Sequence, residues 1–301
     1  MTGGAEVGTR SYYGRPVLKA PVWKPLIPLY FFTGGLAGAS STLALAARLA
    51  GNPLLARSAL VASLAATAAS PPLLVADLGR PERFANMLRV AKPTSPMSVG
   101  TWVLSAFAPA ASAAAICELT DRMPRLGRTC AGVAGALGPV MATYTAVLVA
   151  DTAIPAWHDA RRELPFVFAG SAAASAGAMA LVLTPSAHAG PARRLAAAGA
   201  LIELGATQAM EVRLGELAEP YRNGEAAKLA KAAKGLTAAG AVLALAGRRR
   251  SVAVAAGLML VTGGLLTRFA VFRAGFGSAQ SPEATVGPQR RRLEQRAAAG
   301  A

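Results

Sequence analysis

The chain has 301 residues and a formal net charge of +16, with 53% hydrophobic and only 15% charged residues. A soluble domain of this size would carry about 25% charged residues, and the mean hydropathy of +0.41 agrees that an ordinary soluble globule is excluded. The basic residues fall in short loops and at the ends of apolar runs, where orientation in a membrane accounts for them, so nucleic-acid binding is excluded as well.

In chain order, residues 1–26 form a polar N-terminal segment holding Arg10, Arg15, Lys19 and Lys24, without the pattern of a cleavable signal. Apolar runs then predict eight spanning helices near 27–49, 54–76, 97–118, 130–150, 164–184, 194–212, 229–246 and 251–273. Each is long enough for a hydrocarbon core of about 30 Å. The seventh reads as the weakest, because Lys231 and Lys234 intrude on its start and would have to snorkel to the headgroups. Residues 274–301 are rich in Gly, Pro, Gln and Arg and read as a disordered basic tail. The expected fold is therefore an all-α polytopic membrane domain over 27–273.

Pro28-Leu29-Tyr30-Phe31-Phe32 and Pro165-Phe166-Val167-Phe168 open Gly/Ala-rich helices four spans apart. That echo predicts two four-helix halves. Eight spans also place both termini on one side, with the 77–96, 151–163 and 213–228 loops. That side carries the larger share of loop Arg and Lys, which points to the cytoplasm.

The 77–96 loop is the most specific segment: Asp77-Leu78-Gly79-Arg80-Pro81-Glu82-Arg83-Phe84, then Lys92-Pro93-Thr94-Ser95-Pro96-Met97-Ser98. Irregular charged backbone beside a bilayer is kept where it docks a partner or lines a site.

Ionisable residues within spans are functional candidates by default. Glu203, Thr207 and Glu211 share one face of the sixth span at i, i+4 and i+8. Arg268 in the eighth can pair with Glu203 or Glu211. A structural ion pair, quinone binding and proton transfer all fit this set. By depth, Tyr30, Thr33, Asp77, Tyr144, Asp151, Glu211 and Arg268 fall in the half of the membrane nearest the termini. Polar groups from five helices at one level suit an amphipathic ligand with a polar head. Quinone-binding candidates are Tyr30, Thr33, Tyr144 and Arg268. Proton-transfer candidates are Tyr144, Asp77, Asp151, Glu203 and Glu211.

His158 and His188 lie outside the spans, so this chain is expected to hold no haem of the membrane cytochrome b type. Cys117 and Cys130 form no CxxC pair, and no iron–sulfur cluster or metal site is expected.

Several segments resemble the NrfD/PsrC-type (polysulfide reductase-like) membrane subunits. They are Tyr12-Tyr13-Gly14-Arg15-Pro16-Val17-Leu18-Lys19, Pro21-Val22-Trp23-Lys24, Tyr30 to Gly38, the Asp77–Phe84 and Asn86–Ser98 stretches, and Tyr144-Thr145 with Asp151 to His158. The N-terminal segment is most similar to the formate dehydrogenase-associated variety.

The resemblance implies a haem-free, quinone-reactive anchor in the bacterial plasma membrane. Its partners would be a ferredoxin-like iron–sulfur subunit and a molybdopterin catalytic subunit, and its cofactor a quinone (menaquinone or ubiquinone). It also implies a quinone site near the docking face, with Tyr144 in the matching region, and for many members a docking face on the outer side. The charge count and the resemblance thus point to opposite sides for the loops. A small-molecule transporter or channel with Glu203 and Arg268 along its path is the alternative, supported by Pro71-Pro72 and Gly138-Pro139.

Overall fold

A computed structural model describes residues 18–80, 82–247 and 249–281. The Tyr12–Val17 motif, Arg10, Arg15, Pro81, Arg248 and the expected tail beyond residue 281 lie outside the described residues. Within them the chain forms eleven α-helices and three short 3-10 turns, without a strand. Eight helices are long: α1 (Leu26–Leu49), α2 (Pro53–Leu78), α4 (Pro96–Thr120), α5 (Pro124–Ala150), α7 (Leu164–Leu183), α8 (Gly190–Leu214), α10 (Gly224–Ala246) and α11 (Arg250–Gln280). Three are short: α3 (Glu82–Leu88), α6 (Pro155–His158) and α9 (Glu219–Arg222).

Proline in the first turn opens α2, α4, α5, α7 and α8, where its missing N–H costs nothing. Asn52 also caps α2 by accepting from the Leu55 N–H at 3.2 Å. Gly79, in the left-handed region at φ 71°, stops α2 and turns the chain into the charged loop. That loop is not all irregular, since it contains α3.

Seven of the long helices are long and apolar enough to cross a membrane. The protein is an integral, multi-pass membrane protein, consistent with a bacterial plasma membrane. The helix that falls short is α8, not α10 as the lysines suggested. Arg193, Arg194, Glu203, Glu211 and Arg213 all lie on α8, which nonetheless runs antiparallel along α7. Their backbones are so close that a Cβ on Gly170 would stand 2.5 Å from the Glu203 nitrogen, and one on Gly177 2.5 Å from that of Ala196. Lys231 is exposed, but Lys234 does not snorkel. It turns inward and pairs with Glu211 at 2.7 Å.

The long helices form two rings of four. In the first, α1 packs on α2 and α5, and α4 on α2 and α5. In the second, α7 packs on α8 and α11, and α10 on α8 and α11, the same wiring. The rings meet mainly through α1 and α7, where Phe31 and Phe168 face each other with centroids 6.1 Å apart.

On the side of the termini, the loop face, the connections carry short helices; on the other side α1–α2 and α4–α5 are joined by only residues 50–52 and 121–123. A latch of aromatic residues ties the loop face across both rings. Trp23 stacks on Trp157 at 5.5 Å, and the Trp157 indole N–H donates to the Val271 carbonyl at 2.7 Å. The Ala156 N–H donates to Ser278 Oγ at 3.1 Å. Because Gly275 and Ser278 pack against this α6 segment, α11 continues to Gln280 and residues 274–280, expected in the tail, are helical.

Candidate functional site

The expected single level of polar groups divides into two sites, one in each ring. In the first ring Tyr30 of α1 and Tyr144 of α5 are both buried, and their hydroxyls are hydrogen-bonded to each other. The Tyr144 ring packs against Gly100 of α4, where a Cβ would fall only 2.6 Å from ring atom Cδ2. Only glycine leaves room for the ring there. Thr33 donates to the Tyr30 carbonyl at 3.3 Å and accepts from the Ser70 hydroxyl at 2.8 Å, which brings α2 to the same place. Gly100 lies just past the Ser95 N-cap that closes the charged loop, so the tyrosine pair sits about one helical turn beneath that loop.

The second ring holds a small cleft between α7, α8, α9, α10 and α11, lined by Glu203, Thr207, Glu211, Tyr221, Lys234 and Thr267 among others. Both Glu211 oxygens accept from Lys234 Nζ, at 2.7 and 2.8 Å. Glu203 is 2% exposed; its Oε1 accepts from Thr267 Oγ1 at 2.5 Å, and its Oε2 has no hydrogen-bond partner among the described residues. At the rim, outside the spanning segments, burial and then the nearby Glu211 charge hold the Tyr221 hydroxyl above the ordinary tyrosine range.

The expected pairing of Arg268 with a glutamate is not made. Arg268 Nη2 donates to the Phe168 carbonyl at 2.9 Å and its guanidinium lies 3.8 Å from the centre of the Phe168 ring. Lys234 takes Glu211, and Thr267 takes one oxygen of Glu203; Arg268 lies near enough to Glu203 for their charges to interact but makes no contact ion pair with it. Nor is Arg268 hydrogen-bonded to the tyrosines; its Nη2 lies against α1 at Gly35, where a Cβ would stand 3.4 Å away.

Asp77 and Asp151 sit at the loop face. Asp77 Oδ1 accepts from the Lys24 N–H at 2.8 Å and fastens the N-terminal segment to the end of α2. Asp151 is exposed at the C-cap of α5. His158 lies in α6 and His188 in a 3-10 turn, both outside the long helices. Cys117 and Cys130 are free thiols. Among the described residues no group of three or more His, Cys, Asp or Glu could hold a metal ion.

Three contributors escaped the sequence reading. Gly100 and Ser70 look like ordinary small residues of a close-packed helix, with no signal to single them out. Lys234 did carry one: a lysine well inside an apolar run needs a buried acid unless it reaches the headgroups.

A family model described as polysulphide reductase, NrfD, matches residues 17–218. The match takes in α1 through α8 and stops short of α10 and α11. Among curated proteins no match is found. As the matched segment is well over half of the chain, this protein belongs to the polysulphide reductase NrfD family, the membrane subunits of quinone-linked redox complexes.

Proposed function

We propose that this chain is the haem-free, quinone-reactive anchor of a complex with a ferredoxin-like iron–sulfur subunit and a molybdopterin catalytic subunit. It would pass electrons between the iron–sulfur partner and the membrane quinone pool. Its N-terminal motif favours the formate dehydrogenase-associated variety. The observation that carries the reading is the Tyr30–Tyr144 pair, buried one turn beneath the charged loop of an NrfD-family chain.

The donor set suits a quinone carbonyl. Two phenols share one hydrogen bond, so one O–H hydrogen remains, and no third group among the described residues takes it. When bound, a quinone supplies exchange of two electrons and two protons. Tyr144, held by Gly100, donates to the carbonyl oxygen; Tyr30 holds the Tyr144 hydroxyl in place, and Thr33 and Ser70 fix the start of α1. Asp77 and Asp151 lie between the tyrosines and the aqueous loop face and serve as proton relays. Glu203 and Glu211 provide a second route in the other ring, with Arg268 keeping the wall between the two sites rigid. Arg80, Arg83, Arg89 and Lys92 offer an acidic partner a basic surface.

Purification from native membranes in mild detergent, with mass spectrometry of copurifying chains, tests the assembly. Iron–sulfur and molybdopterin subunits should accompany the chain. A chain that purifies alone from membranes that support the activity would favour a transporter instead.

A further inference from the structure

The openings of α1 and α7 align by residue. Phe31 and Phe168 each stand three residues past Pro28 and Pro165, and Tyr30 and Val167 each stand two residues past them.

Val167, at the position that Tyr30 holds in the first ring, lines the second-ring cleft. Glu203 lines it, almost wholly buried, with one oxygen bonded to Thr267 and the other near the Ser171 hydroxyl but outside hydrogen-bonding geometry. A buried polar atom of this kind is satisfied by water.

We propose that this cleft is a water-filled proton inlet from the loop face and that Glu203 is the proton-exchanging group at its inner end. The Glu211–Lys234 pair and Tyr221 stand nearer the loop face: Glu211 lies two turns further along α8, toward its end at Leu214. Arg268, the remaining charged group at the inner end, donates to the Phe168 carbonyl, and its charge acts on Glu203 without a hydrogen bond between them. In each transfer the Glu203 carboxylate takes one proton from hydronium to give the carboxylic acid and one water. The reverse step returns the proton, and no electron moves. The inference rests on the quinone reading only for where the protons are used.

The test uses the full chain in its native membranes and dicyclohexylcarbodiimide, an apolar reagent that modifies protonated carboxyls, with peptide mass spectrometry. Glu203 should be modified, and Thr207→Leu, which narrows the cleft at a half-buried position, should slow the modification at least about tenfold. Native-state Glu203 left unmodified, or modified equally fast in Thr207→Leu, would overturn the inlet. Infrared spectroscopy gives a readout free of any folding defect in that variant. A carboxylic C=O band that is absent from Glu203→Gln should shift on exchange into D2O; a band that does not shift would equally overturn it. Neither measurement involves quinone, so a failure to bind quinone would remove the earlier proposal and leave this one standing.

Discussion

The hydroxyl of Tyr30 meets that of Tyr144 in a buried hydrogen bond that joins the first and fourth long helices of one ring. The position of Tyr30 in the other ring holds Val167. One architecture therefore presents a phenol pair on one side of the Phe31–Phe168 contact and an acid-lined cleft on the other.

Tyr144→Phe should leave the fold intact, since losing one neutral buried hydrogen bond costs about 1 kcal/mol. Quinone-linked turnover of the assembled complex should fall about 100-fold, the scale of a lost proton donor. Steady-state rates with a soluble quinol analogue, beside a thermal melt in detergent, separate the two effects.

Gly100→Ala should mimic Tyr144→Phe for a different reason. Its methyl group would enter the space of the Tyr144 ring, and overpacking of this kind costs about 1–3 kcal/mol. The expected result is a lower melting temperature together with loss of quinone-linked turnover. The double variant Gly100→Ala/Tyr144→Phe should be no slower than either single one.

Trp157 is fully buried and joins Trp23, Phe272 and the Val271 carbonyl. Trp157→Ala should destabilise the chain by about 3–5 kcal/mol. Limited proteolysis should then cut first near residues 18–25, because the N-terminal segment loses its stacking partner.

Tyr221 gives a prediction in alkali. Burial holds its hydroxyl protonated above the ordinary tyrosine range in the folded chain, while the unfolded chain releases that proton near pH 10. Its contribution to stability is thus complete below about pH 10 and declines as pH rises further. Melting temperature should fall above that pH, and Tyr221→Phe should make the fall shallower.

The helices and their depth were legible in the sequence because apolar length and loop charge fix them. That is why Tyr30 and Tyr144 could be placed at one level from topology alone. What periodicity does not give is how one helix is rotated against its neighbour. Glu203 and Arg268 shared a plausible depth, yet Thr267, adjacent to Arg268, took the carboxylate while Arg268 turned to the Phe168 carbonyl. Hydropathy misled in a similar way. It marked Lys234 as a flaw in α10, although the lysine is the partner that Glu211 of α8 requires. The end of α11 was missed because Gly275 and Ser278 resemble a polar tail until Trp157 and Ala156 are seen against them.

The most direct test is saturable binding of a short-chain quinone analogue to the purified full chain, measured for wild type, Tyr144→Phe and Glu203→Gln. Wild type should bind, Tyr144→Phe should bind at least about tenfold more weakly (~1.4 kcal/mol), and Glu203→Gln should bind with unchanged affinity. Binding untouched by Tyr144→Phe, or lost in Glu203→Gln, would overturn the tyrosine site and place the quinone outside the first ring.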